Sequence, residues 1–375
     1  MIGSQYFIYF GVMGIFLPYF NLYCFRLGFS GLQIGTLSAF RSMALILFPL
    51  LWGALADRFQ MRRAIYISCN LISTTIWIFY LYTTDFLFML TITVFYGIFY
   101  APIISFLEAF TMDVLGQEKN SYGRIRVWGS ISFILVVIVI GKVIDMYPIA
   151  IIMVLILAGS VLQSVISVNV PDITIDKREL FFRQVKAFLS RRVIIFLLCG
   201  FLMLVSHGTY YGFFSIHLEN LGYGNTFIGI TWALASIAEI VVMITSNRIF
   251  RRFSLENVLF FSFMAAAIRW IALFFFRAPV LIVFTQILHA LSYGTFHIAS
   301  ILYIDLLAPD ETKTLGQAVN NAVSYGFGLM IGFLINGYLY ERVGTFGLFA
   351  ISSFIALVGG LLIKSFPSKD PVVAV

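Results

Sequence analysis

The chain has 375 residues, of which 61% are hydrophobic and only 11% are charged, with a formal net charge of +7 and a mean hydropathy of +0.98. Soluble globular chains are about 45–50% apolar and about 25% charged, so this composition excludes a soluble globular domain and indicates a chain solvated mostly by lipid. In a soluble protein a positive net charge would favour nucleic acid as a partner. In a lipid-embedded chain the loops that carry the Lys and Arg residues instead indicate the membrane topology.

Apolar stretches of about 20 residues follow one another along almost the whole chain, and each is long enough for a membrane-spanning helix. The first begins almost at the start codon and lacks the basic leader and cleavage site of a signal peptide, so we expect it to be retained. The twelve predicted spans are residues 4–27, 31–56, 64–83, 86–112, 126–145, 148–168, 193–219, 226–247, 256–276, 279–307, 315–340 and 345–364. The predicted fold class is an all-α membrane protein with twelve transmembrane helices.

Most of the 24 Lys and Arg residues fall in loops on the side of the N-terminus. Because basic loops stay on the cytoplasmic side, both termini are predicted to be cytoplasmic in a bacterial-type inner membrane. The positive charge then reflects topology, and we expect no nucleic acid partner.

Nothing in the sequence indicates chemistry at a cofactor or metal. Cys24, Cys69 and Cys199 fall inside predicted helices, without a pairing pattern or metal-ligand spacing. No G-x-x-x-x-G-K-[ST] loop is present, which disfavours an ATP-driven pump, and no nucleophile, base and orienting group form a catalytic set. We expect neither an enzyme nor a cofactor, and the lack of a soluble output domain disfavours a membrane sensor.

Two halves of the chain repeat each other. LGFSGLQIG at residues 27–35 returns as LGYGNTFIG at 221–229, and the Tyr-Gly pair at 96–97 returns at 293–294. A duplicated set of six helices enters the membrane twice in the same orientation, which predicts parallel halves with a solute site between them near the midplane.

The repeat sets the predicted domain boundaries. These are a first six-helix bundle (1–168), a cytoplasmic linker (169–192), a second bundle (193–366) and a tail (367–375). The linker combines apolar and basic residues, which fits either an amphipathic segment at the inner interface or a solvated connection.

A basic loop joins the second and third predicted helices and reads GALADRFQMRR over residues 53–63. Gly53 permits close approach of the helices, and Asp57 lies where a cation or a helix N-terminus can meet it. A version returns at residues 246–252. We interpret the loops as a gate at the inner face, the alternative being ordinary basic loops. The gating residues are Gly53, Asp57, Arg58, Arg62 and Arg248.

The start of the fifth predicted helix supplies another gating pair. Arg126 lies in YGRIRVWGS (residues 122–130) and is placed to reach Asp113 across the inner end of the fourth helix. The alternative is that Arg126 anchors its helix end at the membrane interface.

Several ionisable residues fall deep inside predicted spans, where each costs about 2.5–3.5 kcal/mol unless it has a partner, a cavity or a function. They are Arg41, His207, Glu239, Arg269 and His289, with His297 nearer the cytoplasm. On the tenth helix, Gln286, His289, Tyr293, His297 and Ser300 fall within about 80° of one another at about 100° per residue.

This concentration of polar groups in the second half predicts a proton-coupling site, the alternative being a satisfied network that only fixes helix packing. Burial favours the protonated form of a carboxylate, and a nearby Arg favours the ionised form, so that the group can load and release a proton. We assign Glu239 as proton carrier, Arg269 as counter-charge and His297 as proton-sharing neighbour, and include His289 in the site.

Arg41 differs because no acid in the first half lies at its depth. It either binds the anionic group of a solute through its two-pronged guanidinium or braces the fold. The other predicted solute-binding residues are polar positions on the first, tenth and eleventh helices: Asn21, Gln286, Tyr293, Asn320, Asn321 and Ser324.

These segments together resemble the major facilitator superfamily, and within it the 3-phenylpropionate permease subgroup, related to lactose and nucleoside proton symporters. The loop at 53–63 is similar to G-x-L-A-D-R-x-G-R-R, with Met61 where Gly is usual. The remaining segments that carry the resemblance are 122–130, 210–240, 246–252, 268–270 and 286–299.

The resemblance implies a secondary active symporter with twelve helices in two parallel halves. In lactose-type relatives an acid in helix 8, an Arg in helix 9 and a His in helix 10 couple solute to protons, and the matching positions are Glu239, Arg269 and His297. The basic loop braces the cytoplasmic face of the outward-open state in that superfamily.

We therefore predict a proton-coupled symporter that imports a small organic solute, such as an aromatic carboxylate, by alternating access. The alternatives are proton symport of a neutral sugar or nucleoside, and efflux. The expected partners are the solute, protons and the lipid bilayer, and the expected state is a monomer.

Overall fold

A computed structural model of the chain describes residues 1–116, 118, 121–171, 190–309 and 312–365, and all regular structure in these segments is helical. Most of the predicted linker, and the whole predicted tail at 367–375, lie outside the described residues.

Six helices form the first half of the chain. They are α1 (Ile2–Arg26), α2 (Gly31–Phe59), α3 (Arg62–Leu81, whose last four residues form a 3-10 turn), α4 (Phe86–Leu115), α5 (Tyr122–Met146) and α6 (Ile151–Ser167). Helix starts follow the local sequence: Ser30 and Gln33 form a capping box at α2, and the Asp85 carboxylate caps α4.

The second half begins with α7 (Arg191–Asn220), α8 (Asn225–Phe250), α9 (Leu255–Phe275) and α10 (Pro279–Leu307). Helix α10 contains a π-helical turn at Ala290–Gly294. The last helical run starts at Lys313 and includes a π-helical stretch at Asn321–Gly328. Gly344 breaks this run with φ at +61°, a conformation that favours glycine, and divides it into α11 (residues 313–343) and α12 (residues 345–364).

The twelve predicted spans are confirmed within the described residues. Ten helices are long and apolar enough to cross a membrane, and the last of them, Leu315–Lys364, holds two of the predicted spans joined at Gly344. The shorter apolar helix Ile151–Ser167 supplies the remaining span.

Contacts group the helices into two compact units. The first unit contains α1 to α6 together with Gly222–Ala233, which includes the start of α8; the second contains α7, the rest of α8 from Leu234, and α9 to α12. The predicted second bundle, which starts at residue 193, includes all of α8. The predicted division of the chain at 168 and 193 therefore stays a prediction.

A carboxylate at the end of α5 holds the start of α8 in the first unit. Asp145 Oδ1 accepts hydrogen bonds from the backbone and side-chain nitrogens of Asn225, both at 2.8 Å. Its Oδ2 accepts from the backbone nitrogen and hydroxyl of Thr226, at 2.9 and 2.6 Å. The first N–H groups of a helix have no partner within the helix, and negative charge is stabilised there, so Asp145 caps α8.

Two glycines allow the backbones of α5 and α8 to touch beside this cap. A Cβ on Gly141 would collide with the Asn225 carbonyl oxygen, and one on Gly229 with the Val137 carbonyl oxygen. The Tyr19 hydroxyl of α1 donates to the same Val137 oxygen at 2.8 Å. The start of α8 is therefore held by direct backbone packing as well as by the Asp145 cap.

Replacing Asp145 by Ala should lower the free energy of unfolding by about 1 kcal/mol, because it leaves the first N–H groups of α8 without their acceptor. The measurement is unfolding of the purified protein in detergent. Asp305→Ala is the matched control, since Asp305 forms only an exposed pair with Lys313 at 3.5 Å. Equal losses in the two variants would contradict the capping role.

Candidate functional site

The guanidinium of Arg269 on α9 is the most deeply buried charge of the second unit, with the residue 0% exposed. Its Nη1 lies 2.6 Å from His289 Nδ1, and its Nη2 donates to Gln286 Oε1 at 2.9 Å. Its planar face covers two aromatic rings, with Cζ 4.2 Å from the ring centre of Tyr210 and 4.6 Å from that of Trp270. Burial of a cation is costly unless such partners compensate it.

His289 connects this cation to an acid on α8. Its Nε2 lies 2.8 Å from Glu239 Oε1. A guanidinium can only donate hydrogen bonds, so His289 Nδ1 is the acceptor and Nε2 carries the ring proton, which it donates to the carboxylate. Arg269, His289 and Glu239 thus form a chain from cation to anion through a neutral imidazole.

The Glu239 end of this chain is more exposed than its centre. The side chain of Glu239 is 21% exposed, whereas that of His289 is 5% exposed. The carboxylate is therefore the most accessible of the three groups.

The predicted polar face of α10 is present as a column of rings. Tyr293 stacks on His289 with ring centres 5.2 Å apart and on His297 with ring centres 6.1 Å apart, and the ring planes differ by 8° and 4°. His297 Nδ1 lies 2.6 Å from the Tyr325 hydroxyl on α11. The imidazole that bridges Arg269 and Glu239 is therefore His289, one of the predicted site residues, and the proton-sharing role of His297 stays a prediction.

The aromatic partners of this network were not predicted from the sequence. Tyr210, Trp270 and Tyr325 each contact one of its charged or titratable members. Aromatic residues make up 17% of the chain, so an isolated Tyr or Trp gave no signal in the sequence.

Arg41 on α2 is a partly buried cation of the first unit, and no acid among the described residues pairs with it. Its Cζ lies 4.7 Å from the ring centre of Phe16, and the hydroxyls of Tyr80, Tyr96 and Tyr100 are among its electrostatic neighbours. In the part of the chain that the structure describes, no side chain or backbone oxygen accepts a hydrogen bond from its guanidinium, and no carboxylate pairs with it. Its hydrogen-bond donors are therefore available to a ligand.

A continuous series of aromatic rings extends from this cation across α1, α3 and α4. Tyr100 stacks on Tyr9 and on Tyr96, with ring centres 5.6 and 4.7 Å apart, and the edge of Trp77 meets Tyr96 at 5.1 Å. The first unit thus combines a guanidinium with a wall of π surfaces, a chemistry suited to an anionic group attached to an aromatic ring.

Two further predicted solute-binding residues are occupied by other partners. The Asn21 amide and the Ser38 hydroxyl exchange hydrogen bonds of 3.0 and 3.2 Å between α1 and α2. Gln286 holds Arg269 and also donates to the Thr285 hydroxyl at 2.9 Å. In the structure Gln286 belongs to the charge network.

The three predicted solute-binding residues of α11 differ in burial. Asn320 and Ser324 are 0% exposed, and Ser324 packs against Gly200 of α7, whereas Asn321 is exposed. Asn321 starts a π-helical stretch, which changes the angle between successive side chains, and the solute-binding role of these three residues stays a prediction.

At the basic loop, Arg62 is held between two acids. Its Nε and Nη2 donate to Asp57 Oδ1 at 2.9 and 2.7 Å, and its Nη1 lies 3.5 Å from Asp113 Oδ2. Asp57 therefore meets a cation, as predicted. A Cβ on Gly53 would meet no atom within 4 Å in the described segments, so the expected close approach at that glycine is absent.

The predicted pair between Arg126 and Asp113 was wrong. Arg126 lies over the ring of Phe10, with its Cζ 3.9 Å from the ring centre, and its acidic electrostatic neighbour is Glu108. Asp113 is taken by Arg62, which lies at the start of α3 and reaches the end of α4.

The two remaining gating residues lie at helix ends. Arg58 extends over the ring of Phe59, 5.6 Å from its centre, and Arg248 is exposed near the end of α8.

The contact between His289 and Glu239 should appear as coupling in a double-mutant cycle. His289→Asn and Glu239→Gln each weaken the compensation of Arg269, and each should lower the free energy of unfolding by about 1–3 kcal/mol. The double variant should lose less than the sum of the two by about 1 kcal/mol. The measurement is denaturant unfolding in detergent micelles. A cycle that pairs Glu239→Gln with His217→Asn is the control and should be additive, and additivity in both cycles would rule out the contact.

Comparison with known proteins places these features in a family. The model of the MFS_1 like family matches residues 1–351. The Escherichia coli (strain K12) protein named "Probable 3-phenylpropionic acid transporter" is 27% identical over 357 residues, which cover 94% of this chain and 93% of the relative. The maltose permease of Geobacillus stearothermophilus is 23% identical, with 97% of this chain and 93% of the relative covered.

The fold has a counterpart among solved structures. The crystal structure of the nucleoside transporter NupG superimposes with a TM-score of 0.86 at 18% sequence identity, and the match covers 97% of each chain. This similarity shows the major facilitator fold, and together with the family match it confirms the predicted resemblance. The chain belongs to the MFS_1-like family of the major facilitator superfamily, and it is a multi-pass membrane transporter, not an enzyme.

Proposed function

We propose that this transporter is a proton-coupled symporter, which imports a small carboxylate with an aromatic tail across a bacterial-type inner membrane by alternating access. The observation that carries the proposal is the chain from Arg269 through His289 to Glu239, in which the carboxylate is the most exposed of the three groups. A carboxylate placed in this way is suited to carry the proton.

Protonation of Glu239 changes the charge balance of the second unit. While Glu239 is ionised, it compensates Arg269 through His289. Once Glu239 is neutral, the buried guanidinium has lost its counter-charge, which is energetically costly in a medium of low dielectric constant. Protonation of Glu239 therefore has to be accompanied by a rearrangement of this network, and we infer that solute binding favours the rearranged state, a coupling that acts in both directions.

The first unit supports a carboxylate as the anion. The guanidinium of Arg41 has donors without acceptors in the described chain, and its fork matches a carboxylate in two hydrogen bonds. The neighbouring rings of Tyr96, Tyr100 and Trp77 offer stacking surface for an aromatic tail. The name of the Escherichia coli relative, which includes 3-phenylpropionic acid, agrees with this class of solute.

The ion pairs of Arg62 with Asp57 and Asp113 support a gating role for the basic loop. They tie the end of α2, the start of α3 and the end of α4 together. We assign this cluster and the exposed Arg248 to the cytoplasmic face, with both termini on the same side.

The function is tested in proteoliposomes that contain the purified protein and carry an imposed inward proton gradient. The probes are radiolabelled 3-phenylpropionate, maltose and uridine, the last two because relatives are named as maltose and nucleoside permeases. Uphill uptake of 3-phenylpropionate alone supports the proposal. Uptake of maltose or uridine instead would identify a symporter of neutral solutes. Solute accumulation only when the proton gradient is directed outward would identify an efflux transporter.

Glu239→Gln should abolish uphill uptake and leave exchange of labelled for unlabelled solute intact, because the amide mimics the protonated acid but cannot release a proton. The measurement is uptake with and without a proton gradient in the same vesicles. Glu219→Gln, at the end of α7, is the matched control and should behave as wild type. Persistent uphill uptake in Glu239→Gln would contradict the assignment of Glu239 as the proton carrier.

Arg41→Gln should raise the apparent KM for 3-phenylpropionate by about 10- to 100-fold, the equivalent of losing charged hydrogen bonds. Uptake of the uncharged amide of the same compound should not change. Arg342→Gln is the matched control, because Arg342 also lies over an aromatic ring, with Cζ 4.4 Å from the ring centre of Tyr338. An unchanged KM for the carboxylate would make Arg41 a bracing residue.

A further inference from the structure

His207 lies in the middle of α7 and has no part in the contacts described above. It is 0% exposed, and its ring centre is 6.2 Å from that of His289, the imidazole that bridges Arg269 and Glu239. The edge of Trp270 and the ring of Tyr293 close the space around it, at 5.0 and 5.6 Å. A second imidazole thus lies next to the imidazole of the charge network.

The hydrogen bonds of His207 define its tautomer. Nδ1 lies 2.9 Å from the carbonyl oxygen of Met203, one turn earlier on α7. A carbonyl oxygen only accepts, so Nδ1 carries the proton and the neutral ring has its lone pair on Nε2. Nε2 is buried and has no hydrogen-bond partner among the described residues. An unsatisfied buried acceptor of this kind destabilises a fold by about 1–3 kcal/mol.

An unsatisfied nitrogen alone does not indicate a function, as His217 on the same helix shows. His217 Nδ1 bonds the Thr345 hydroxyl at 2.9 Å, and its Nε2 also lacks a partner within the described segments. Its ring neighbours, however, are Phe346 and Phe349. Only His207 combines the open nitrogen with a place beside the charge network.

The groups that face His207 determine when it can take a charge. They are Arg269 from α9, His289 and Tyr293 from α10, and Tyr211 from α7 itself. The α11 residues beside the next turn of α7, Gly332 and Asn336, do not titrate. Arg269 is therefore the charge that opposes a proton on His207, and Glu239 is the acid that offsets Arg269.

We propose that His207 is a second proton-accepting site of the coupling network, which holds the proton at Nε2 after Glu239 has released it. This inference rests on the proposed proton-coupled function. The O–H bond at Glu239 breaks, water carries the proton, and an N–H bond forms at His207 Nε2, while Nδ1–H continues to donate to Met203. No oxidant, reductant or further reactant is needed.

The arrangement makes the two sites load alternately. With Glu239 protonated, Arg269 is uncompensated and repels a second positive charge on His207. With Glu239 ionised, Arg269 is neutralised through His289, and His207 can become an imidazolium. One proton is thus shared between two sites that titrate as a coupled pair.

Nitrogen NMR tests this directly, because the chain contains only four His residues. In protein labelled with 15N-histidine and purified in detergent, each ring is assigned by replacing the others one at a time. In wild type, His207 Nε2 should change from unprotonated to protonated as the pH falls from about 8 to about 5. In Glu239→Gln it should stay unprotonated over the same range, because Arg269 is permanently uncompensated. A His207 Nε2 that remains unprotonated in wild type overturns the proposal.

Transport gives an independent readout through His207→Asn, whose amide keeps the donor to Met203 and removes the titrating nitrogen. Uphill uptake of 3-phenylpropionate should fall at least about tenfold, the scale of a lost proton-transfer group, while solute exchange stays within about twofold. His217→Asn is the matched control and should retain both activities.

The outcomes separate the two proposals. If Glu239→Gln retains uphill uptake, the proton-coupled function fails, and the role of His207 fails with it. If Glu239→Gln abolishes uphill uptake but His207→Asn keeps wild-type uptake and its pH profile, only the role of His207 is overturned.

Discussion

The burial of one guanidinium governs the second unit of this transporter. Arg269 is wholly enclosed, so every partner that compensates its charge has to come from the protein. His289 and Gln286 take its hydrogen bonds, two aromatic rings cover its faces, and Glu239 supplies the opposite charge through the imidazole. These contacts connect three helices, α8, α9 and α10, so a change in the charge of Glu239 affects all three.

The two units use their buried cations in different ways although the sequence repeats. In the second unit the cation is paired and hidden. In the first, Arg41 is partly buried, has a ring for its neighbour and pairs with no described acid. The two six-helix units thus differ in the distribution of their charge. The paired cation suits storage and release of a proton, and the unpaired cation suits binding of an external anion.

Much of this arrangement could be predicted from the sequence because lipid makes polar residues conspicuous. Hydropathy located the spans, and the cost of burying charge drew attention to Glu239, Arg269, His289 and His297, the first three of which form one chain of contacts. The partner of each imidazole could not be predicted, because it depends on side chains from other helices: His289 meets Arg269 and Glu239, and His297 meets Tyr325. The partner of Asp113 was wrong for another reason: Arg62 and Arg126 compete for the same acid, and only the packing of α3 against α4 decides between them.

The π-helical turn of α10 also affects how this chain is compared with its relatives. A π-helical turn holds one residue more than an α-helical turn, so the part of α10 after Gly294 is rotated by about 100° relative to an uninterrupted helix. In a transporter whose tenth helix lacks this turn, the residue that occupies the place of His297 is offset by one position in the chain. Structural equivalence beyond the turn therefore follows the helix face, and a gap of one residue belongs in any alignment between the two.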